Sequence, residues 1–191
     1  EFLAAAARLA AAAAVQDTAL LLFPDASAVL DDSAYQALSD ISLEAGSIRL
    51  GFTYRAEVPG GTARRFVLMS AGSEVSRYEQ SHLAPRDLAA GMIQGEALSP
   101  VVETPVGRVA AMIGVEALVP EIARCLMLQG AEVILWPAAA GGPLFNFART
   151  RADENRVFVA LAAPAVEGAG GAVVAPNGVA IASALPGLEF A

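Results

Sequence analysis

Gly107-Arg-Val-Ala-Ala-Met-Ile-Gly-Val-Glu116, continued through Pro120-Glu121 and Arg124 to Gly130-Ala-Glu-Val-Ile-Leu-Trp-Pro137, is the stretch from which the fold can be read. Gly107–Val115 is a strongly apolar run of strand character. Pro120 suits the first turn of a helix, where its missing N–H is not needed, and that helix ends before Gly130. Ala131–Trp136 is then a second buried strand. Strand, helix and strand follow one another with no linker between them.

The same alternation continues on either side. Upstream, Phe2–Gln16 is an Ala-rich amphipathic helix with Leu3, Ala6, Leu9, Ala10 and Ala13 on its buried stripe. Thr18–Phe23, closed by Pro24, has the continuous apolar character of a strand buried on both faces. Ser33 is placed to cap a helix running to Ala45 and ended by Gly46. Ile48–Arg55 and Arg64–Ser70 form a hairpin-like pair around Pro59-Gly60-Gly61, and Val75–Tyr78 is a further strand. Gly91–Pro105 carries no period. Downstream, Asn146–Asn155 is a polar helix and Val157–Ala163 a strand. Gly168–Val174 and Val179–Ala184 make a last pair around Pro176-Asn177-Gly178. Strands alternating with helices, together with hairpins, predict an α/β layered sandwich. Residues 1–191 are expected to form one domain, and because the chain opens inside a helix, a piece of a longer polypeptide.

Composition narrows the function. Of 191 residues, 55% are hydrophobic and 17% charged, enough for a sizeable core and incompatible with intrinsic disorder. All twelve basic residues are Arg; there is no Lys. That excludes a P-loop, a Schiff-base enzyme and a Ser-x-x-Lys hydrolase, each of which needs a lysine amine. One Cys and one His supply neither a zinc-finger ligand set nor a disulfide framework, which suits a reducing, cytoplasmic compartment. The net charge of −8 argues against nucleic-acid and anionic-membrane partners, which reward clustered cations. Ala4–Ala14 is interrupted by Arg8, lacks a basic leader and is too short to span a bilayer.

Four segments, in order, resemble the nitrilase superfamily of carbon–nitrogen hydrolases. They are Ala19-Leu-Leu-Leu-Phe-Pro-Asp25, Arg77-Tyr-Glu-Gln-Ser-His-Leu83, the Gly107–Pro137 stretch, and Thr150-Arg-Ala-Asp-Glu-Asn155 with the strand after it. The Pro176-Asn177-Gly178 turn fits as well. The resemblance implies a four-layer αββα sandwich, here lacking the family's usual first and last strands. It also implies a mechanism in which a Cys thiolate attacks an amide or nitrile carbon, a Glu acts as general base and a Lys stabilises the oxyanion. Carried over position by position, the Glu falls on Asp25, the Lys on Gln80 and the Cys on Gly114, so all three are changed. Asp25 keeps a carboxylate but retracts it by one methylene, a misplacement of about 1 Å that can cost on the order of 10²-fold. Gln80 can donate a hydrogen bond but brings no charge, a loss of about 10²–10³. Gly114 has no side chain, and removing a nucleophile that works within a triad costs on the order of 10⁶.

No other residue takes the nucleophile's place. Cys125 falls on the helix stripe Ile122, Cys125, Leu126, Gln129 and is expected to be inert core. His82 belongs to the His-Leu pair that the resemblance places there. Glu116, His82 and Trp136 are candidates for a pocket. Asp25 and Glu116 both follow strand ends and are candidates to share a cleft, but no further ligand accompanies them, so neither a metal nor another cofactor is expected. Pro120 and Glu121 start a helix, where a carboxylate favours the positive dipole end. Arg124, Arg151 and Glu154, beside Asn155, are candidates for a partly buried ion network.

Three functions are compatible with these residues. The first is a domain that has lost hydrolase activity and serves in structure, homodimerisation through helix Val119–Gln129, or binding of a small amide or carboxylate. The second is a hydrolase of small amides or nitriles using water activated by Asp25 or Glu116. The third is a small-molecule sensor.

Overall fold

The computed structural model describes residues 2–25, 29–139, 143–164 and 170–184. One sheet is built from β1 (Leu20–Leu22), β2 (Arg49–Val58), β3 (Gly61–Ser70) and β4 (Ser73–Glu79), in that order across the sheet. β1 runs parallel to β2, and the other pairs are antiparallel. The second sheet takes β5 (Val102–Thr104), β6 (Gly107–Ala111), β7 (Val133–Pro137), β8 (Phe158–Ala162), β9 (Ala172–Val174) and β10 (Ala180–Ser183), again in sequence order. Its centre, β6-β7-β8, is parallel and its outer pairs are antiparallel.

Side-chain alternation along the strands assigns the layers. In β3, Phe66 and Leu68 face the second sheet and meet Val109, Ala111, Ile113 and Leu135 between the sheets. Val67 and Met69 point the other way, with Leu50 and Phe52 of β2, against helices α1 (Phe2–Val15) and α2 (Asp32–Glu44). On the far side of the second sheet, Ala110, Ile134, Trp136 and Val159 pack under α4 (Pro120–Leu128) and α5 (Leu144–Asn155). The result is a four-layer αββα sandwich. Gly51 makes room for side chains of its two neighbouring strands in the first sheet: a Cβ there would lie 3.0 Å from Leu22 Cδ1 of β1 and 3.2 Å from Phe66 Cζ of β3.

Several elements differ from the sequence reading. Asp31, not Ser33, caps α2; its carboxylate accepts the Ala34 N–H at 2.8 Å, and Ser33 donates its hydroxyl to that same carboxylate at 2.7 Å. An acidic group suits the positive end of the helix better than a hydroxyl does. β1 is half-buried rather than covered on both faces. The Gly107–Val115 run is not one strand: β6 stops at Ala111, and the chain turns into a short 3-10 helix at Gly114–Leu118. The stretch without a period contains β5, too short to show alternation, and just before it a short helix α3, Pro85–Ala89, was not expected from the sequence. α5 starts two residues earlier than expected, at Leu144. Part of the expected Gly168–Val174 strand, residues 168–169, lies outside the described residues.

Candidate active site

The site forms where β1, β3, the exit of β4 and the Gly114 turn converge. Phe23 donates its N–H to the Gly51 carbonyl at 2.8 Å, and Asp25 donates its own to Ala138 at 3.2 Å. Asp25 thus links the end of β1 to the second sheet. Its carboxylate is buried, accepts the Thr53 hydroxyl at 2.9 Å, and lies 3.4 Å from Arg64 Nε.

Arg64 is the residue that the sequence reading overlooked. It occupies β3 on the same face as Phe66 and Leu68, and its side chain is only 6% exposed. Among the described residues, both of its side-chain hydrogen bonds leave from Nη1, to Gln80 Oε1 at 2.8 Å and to Asp87 Oδ2 at 3.4 Å, and its buried Nε has no hydrogen-bond partner. Asp87, on α3, is itself buried. A cation therefore stands beside Gln80 even though the chain contains no Lys. The available clue was an Arg at the spacing of the inward-facing apolar residues of a strand.

Gln80 is not a free donor. Its Nε2 donates to the carbonyls of His82 at 2.9 Å and Ile113 at 3.0 Å, while its Oε1 accepts from Arg64. Both amide protons are committed. The expectation that Gln80 could stabilise an oxyanion is corrected accordingly.

Gly114 adopts φ +53°, and a Cβ added there would meet Gln80 Nε2 at 3.8 Å and Arg64 Nη1 at 4.0 Å. Both are ordinary van der Waals distances, so a Cβ fits there without a clash. Its carbonyl accepts the Trp136 indole N–H at 2.9 Å. In front of it lies a cavity of about 300 Å³ to which Asp25, Arg64, Asp87, Gly114 and Trp136 contribute, with Leu118, Leu144 and Phe147 as apolar wall.

Glu116 and His82 do not line this cavity. Glu116 is fully buried and accepts five hydrogen bonds: from the Ser81 hydroxyl and N–H, the His82 and Ile113 N–H groups, and the Tyr78 phenol. It braces the exit of β4 against the Gly114 turn. The Tyr78 phenol is raised above its ordinary pKa by burial and by the Glu116 carboxylate. The His82 ring is exposed, with Nδ1 2.9 Å from Ser81 Oγ. Cys125 is half-buried on α4, away from the cavity. Among the described residues, no group of three or more His, Cys, Asp or Glu is placed to hold a metal ion.

Behind the site, Pro120 opens α4, with Glu121 exposed in its first turn. Arg151 donates from Nε to the Ala117 carbonyl at 2.9 Å and pairs through Nη1 with Glu154. Arg124 bonds the Glu154 carbonyl at 2.8 Å, and Asn155 bonds the Arg151 carbonyl at 2.9 Å. The Arg151–Ala117 and Arg124–Glu154 bonds tie the Gly114–Leu118 turn and α4 to α5.

The model of the carbon-nitrogen hydrolase family matches residues 1–187. The chain belongs to the carbon-nitrogen hydrolase family. A solved amidase of the family's nitrilase fold, from Nesterenkonia sp. AN1, superposes with a TM-score of 0.83 at 25% identity, covering 97% of this chain and 78% of that one. That structure is a Glu-to-Gln variant carrying an acetamide moiety on its active-site cysteine. Saccharomyces cerevisiae Nit3, a nitrilase-superfamily member, shares the fold with a TM-score of 0.83 at 22% identity, covering 97% of this chain and 79% of that one. The deaminated glutathione amidase of Rattus norvegicus is 33% identical over 110 residues, 51% of this chain. That match spans only 34% of the rat protein's length. In this member of the carbon-nitrogen hydrolase family, the cavity's polar wall is an Asp25–Arg64–Asp87 ion cluster.

Proposed function

We propose that this domain does not hydrolyse carbon–nitrogen bonds by the family's covalent route and instead binds a small amide or carboxylate without consuming it. The observation that carries this reading is Gly114 at the nucleophile-equivalent position, with an open cavity in front of it. Two further features support it. The Gln80 amide protons are already committed, and the Asp25 carboxylate sits against the Arg64 guanidinium rather than beside an acid to be deprotonated. Water activation by Glu116 is disfavoured, because that carboxylate accepts five hydrogen bonds and lies off the cavity.

Release of ammonia from a panel of short amides and nitriles tests the proposal. The expected rate equals that of buffer alone. Turnover that survives thiol alkylation and disappears in Asp25→Ala would overturn the proposal in favour of a water-activating hydrolase.

Homodimerisation through Val119–Gln129 belongs to the same proposal. The end of α4 leaves Leu128 exposed at 72%, an apolar side chain available to a second copy. Light scattering over a dilution series should show a dimer at micromolar concentration; a stable monomer there would remove this part.

A further inference from the structure

The geometry points to a cavity that selects its ligand by charge: it admits an uncharged carbonyl compound with an apolar body and turns away the corresponding carboxylate. This inference rests on the reading of the cavity as a ligand site and specifies what that site accepts.

The polar wall carries one buried cation and two buried carboxylates. Arg64 lies between Asp25 and Asp87, 3.4 Å from an oxygen of each. The other cation at the rim, Arg86, is 78% exposed and 4.0 Å from Asp87, so solvent screens most of its effect. A third carboxylate entering here would face two buried anions with a single buried cation already shared between them, and it would lose its own hydration. An uncharged carbonyl oxygen meets neither penalty.

A carbonyl also has something to bind. Arg64 contributes to the cavity wall, and among the described residues its side chain hydrogen-bonds only through Nη1, which leaves guanidinium N–H capacity for a carbonyl oxygen. If the ligand head also carries N–H, the carboxylates of Asp25 and Asp87 are the adjacent acceptors. The opposite wall, Leu118, Trp136, Leu144 and Phe147, favours an aliphatic or aromatic body, and about 300 Å³ accommodates a single ring.

The experiment compares benzamide with benzoate, matched in shape and different in charge, by ligand-observed NMR and calorimetry at pH 7. Benzamide should bind, and benzoate should bind about tenfold more weakly or worse, as like-charge juxtaposition demands. Asp87→Asn removes one wall anion and should narrow the gap or reverse it, an effect that a merely structural Asp87 would not produce. Arg64→Met should abolish benzamide binding; should that variant fold poorly, the Asp87→Asn comparison still decides. If benzoate binds as tightly as benzamide, or if Asp87→Asn leaves the ratio unchanged, the charge selection is wrong while the ligand site stands. If neither compound binds, the ligand-site reading itself falls.

Discussion

At Gly114 the backbone keeps a left-handed conformation, φ +53°, that side chains rarely adopt, while an added Cβ would meet its neighbours only at ordinary contact distance. Gly114→Cys should therefore fold, at a cost of about 1–2 kcal/mol for a non-glycine residue in that region. Its thiol would lie near the Arg64 guanidinium, and a neighbouring cation stabilises a thiolate. In a Cys125→Ser background, alkylation followed by mass spectrometry across pH should give an apparent thiol pKa below the ordinary value of about 8.5. Amide turnover should not return, because Gln80 remains committed to backbone carbonyls. Glu116 makes a separate demand. Glu116→Gln would turn an amide N–H₂ toward N–H groups that now point at a carboxylate. Urea denaturation should show a loss of about 3 kcal/mol. Asp25, Gln80 and Gly114 were named from the sequence, and the fold brings all three around Arg64. What filled the site was not: Arg64 and Asp87 are 23 residues apart and meet only through the β3–β4 hairpin and α3.

Helix ends and strand ends account for most of the differences at the next scale. The Asp31 carboxylate at the start of α2 is held below its ordinary value of 3.8, chiefly by the Ala34 N–H and then by the Ser33 hydroxyl. A carboxyl with a depressed folded-state pKa contributes stability that is fully present above 3.8 and fades as pH falls through the lower folded value. Asp31→Ala should thus lower Tm at neutral pH, and the difference from the parent should close in acid, as followed by circular dichroism. The cap was misassigned because Asp31, Asp32 and Ser33 are all suitable residues side by side, and composition does not choose among them. The end of β6 escaped the sequence for another reason: Met112 and Ile113 stay fully buried after the ladder stops, so hydrophobicity runs past the strand. Arg151 supports the turn that follows. Arg151→Met would strip the Ala117 carbonyl of its donor and unpair Glu154. Because Glu154 still reaches solvent, the expected loss is about 2 kcal/mol by urea denaturation rather than the ~3–5 of a fully buried pair.

Across the whole molecule, the layering followed from the alternation of strands and helices, and the long apolar runs carried it. Interior strands such as β7 show in any window because nearly every side chain is buried. β1, with three half-buried residues at a sheet edge, shows far less. Neither the pairing of the sheets nor the cavity between strand exits is local, so both required the fold.

Trp136 is the chain's sole tryptophan; its indole N–H is bound to Gly114 and its ring contributes to the cavity wall. The protein therefore carries its own optical reporter. Its emission should be that of a dry, buried indole and should change in intensity when a ring occupies the cavity. Leu144→Ala, which enlarges the cavity, should alter the size of that change. Fluorescence titration needs no label, and a spectrum unmoved by a compound that calorimetry shows to bind would place that compound somewhere else on the surface.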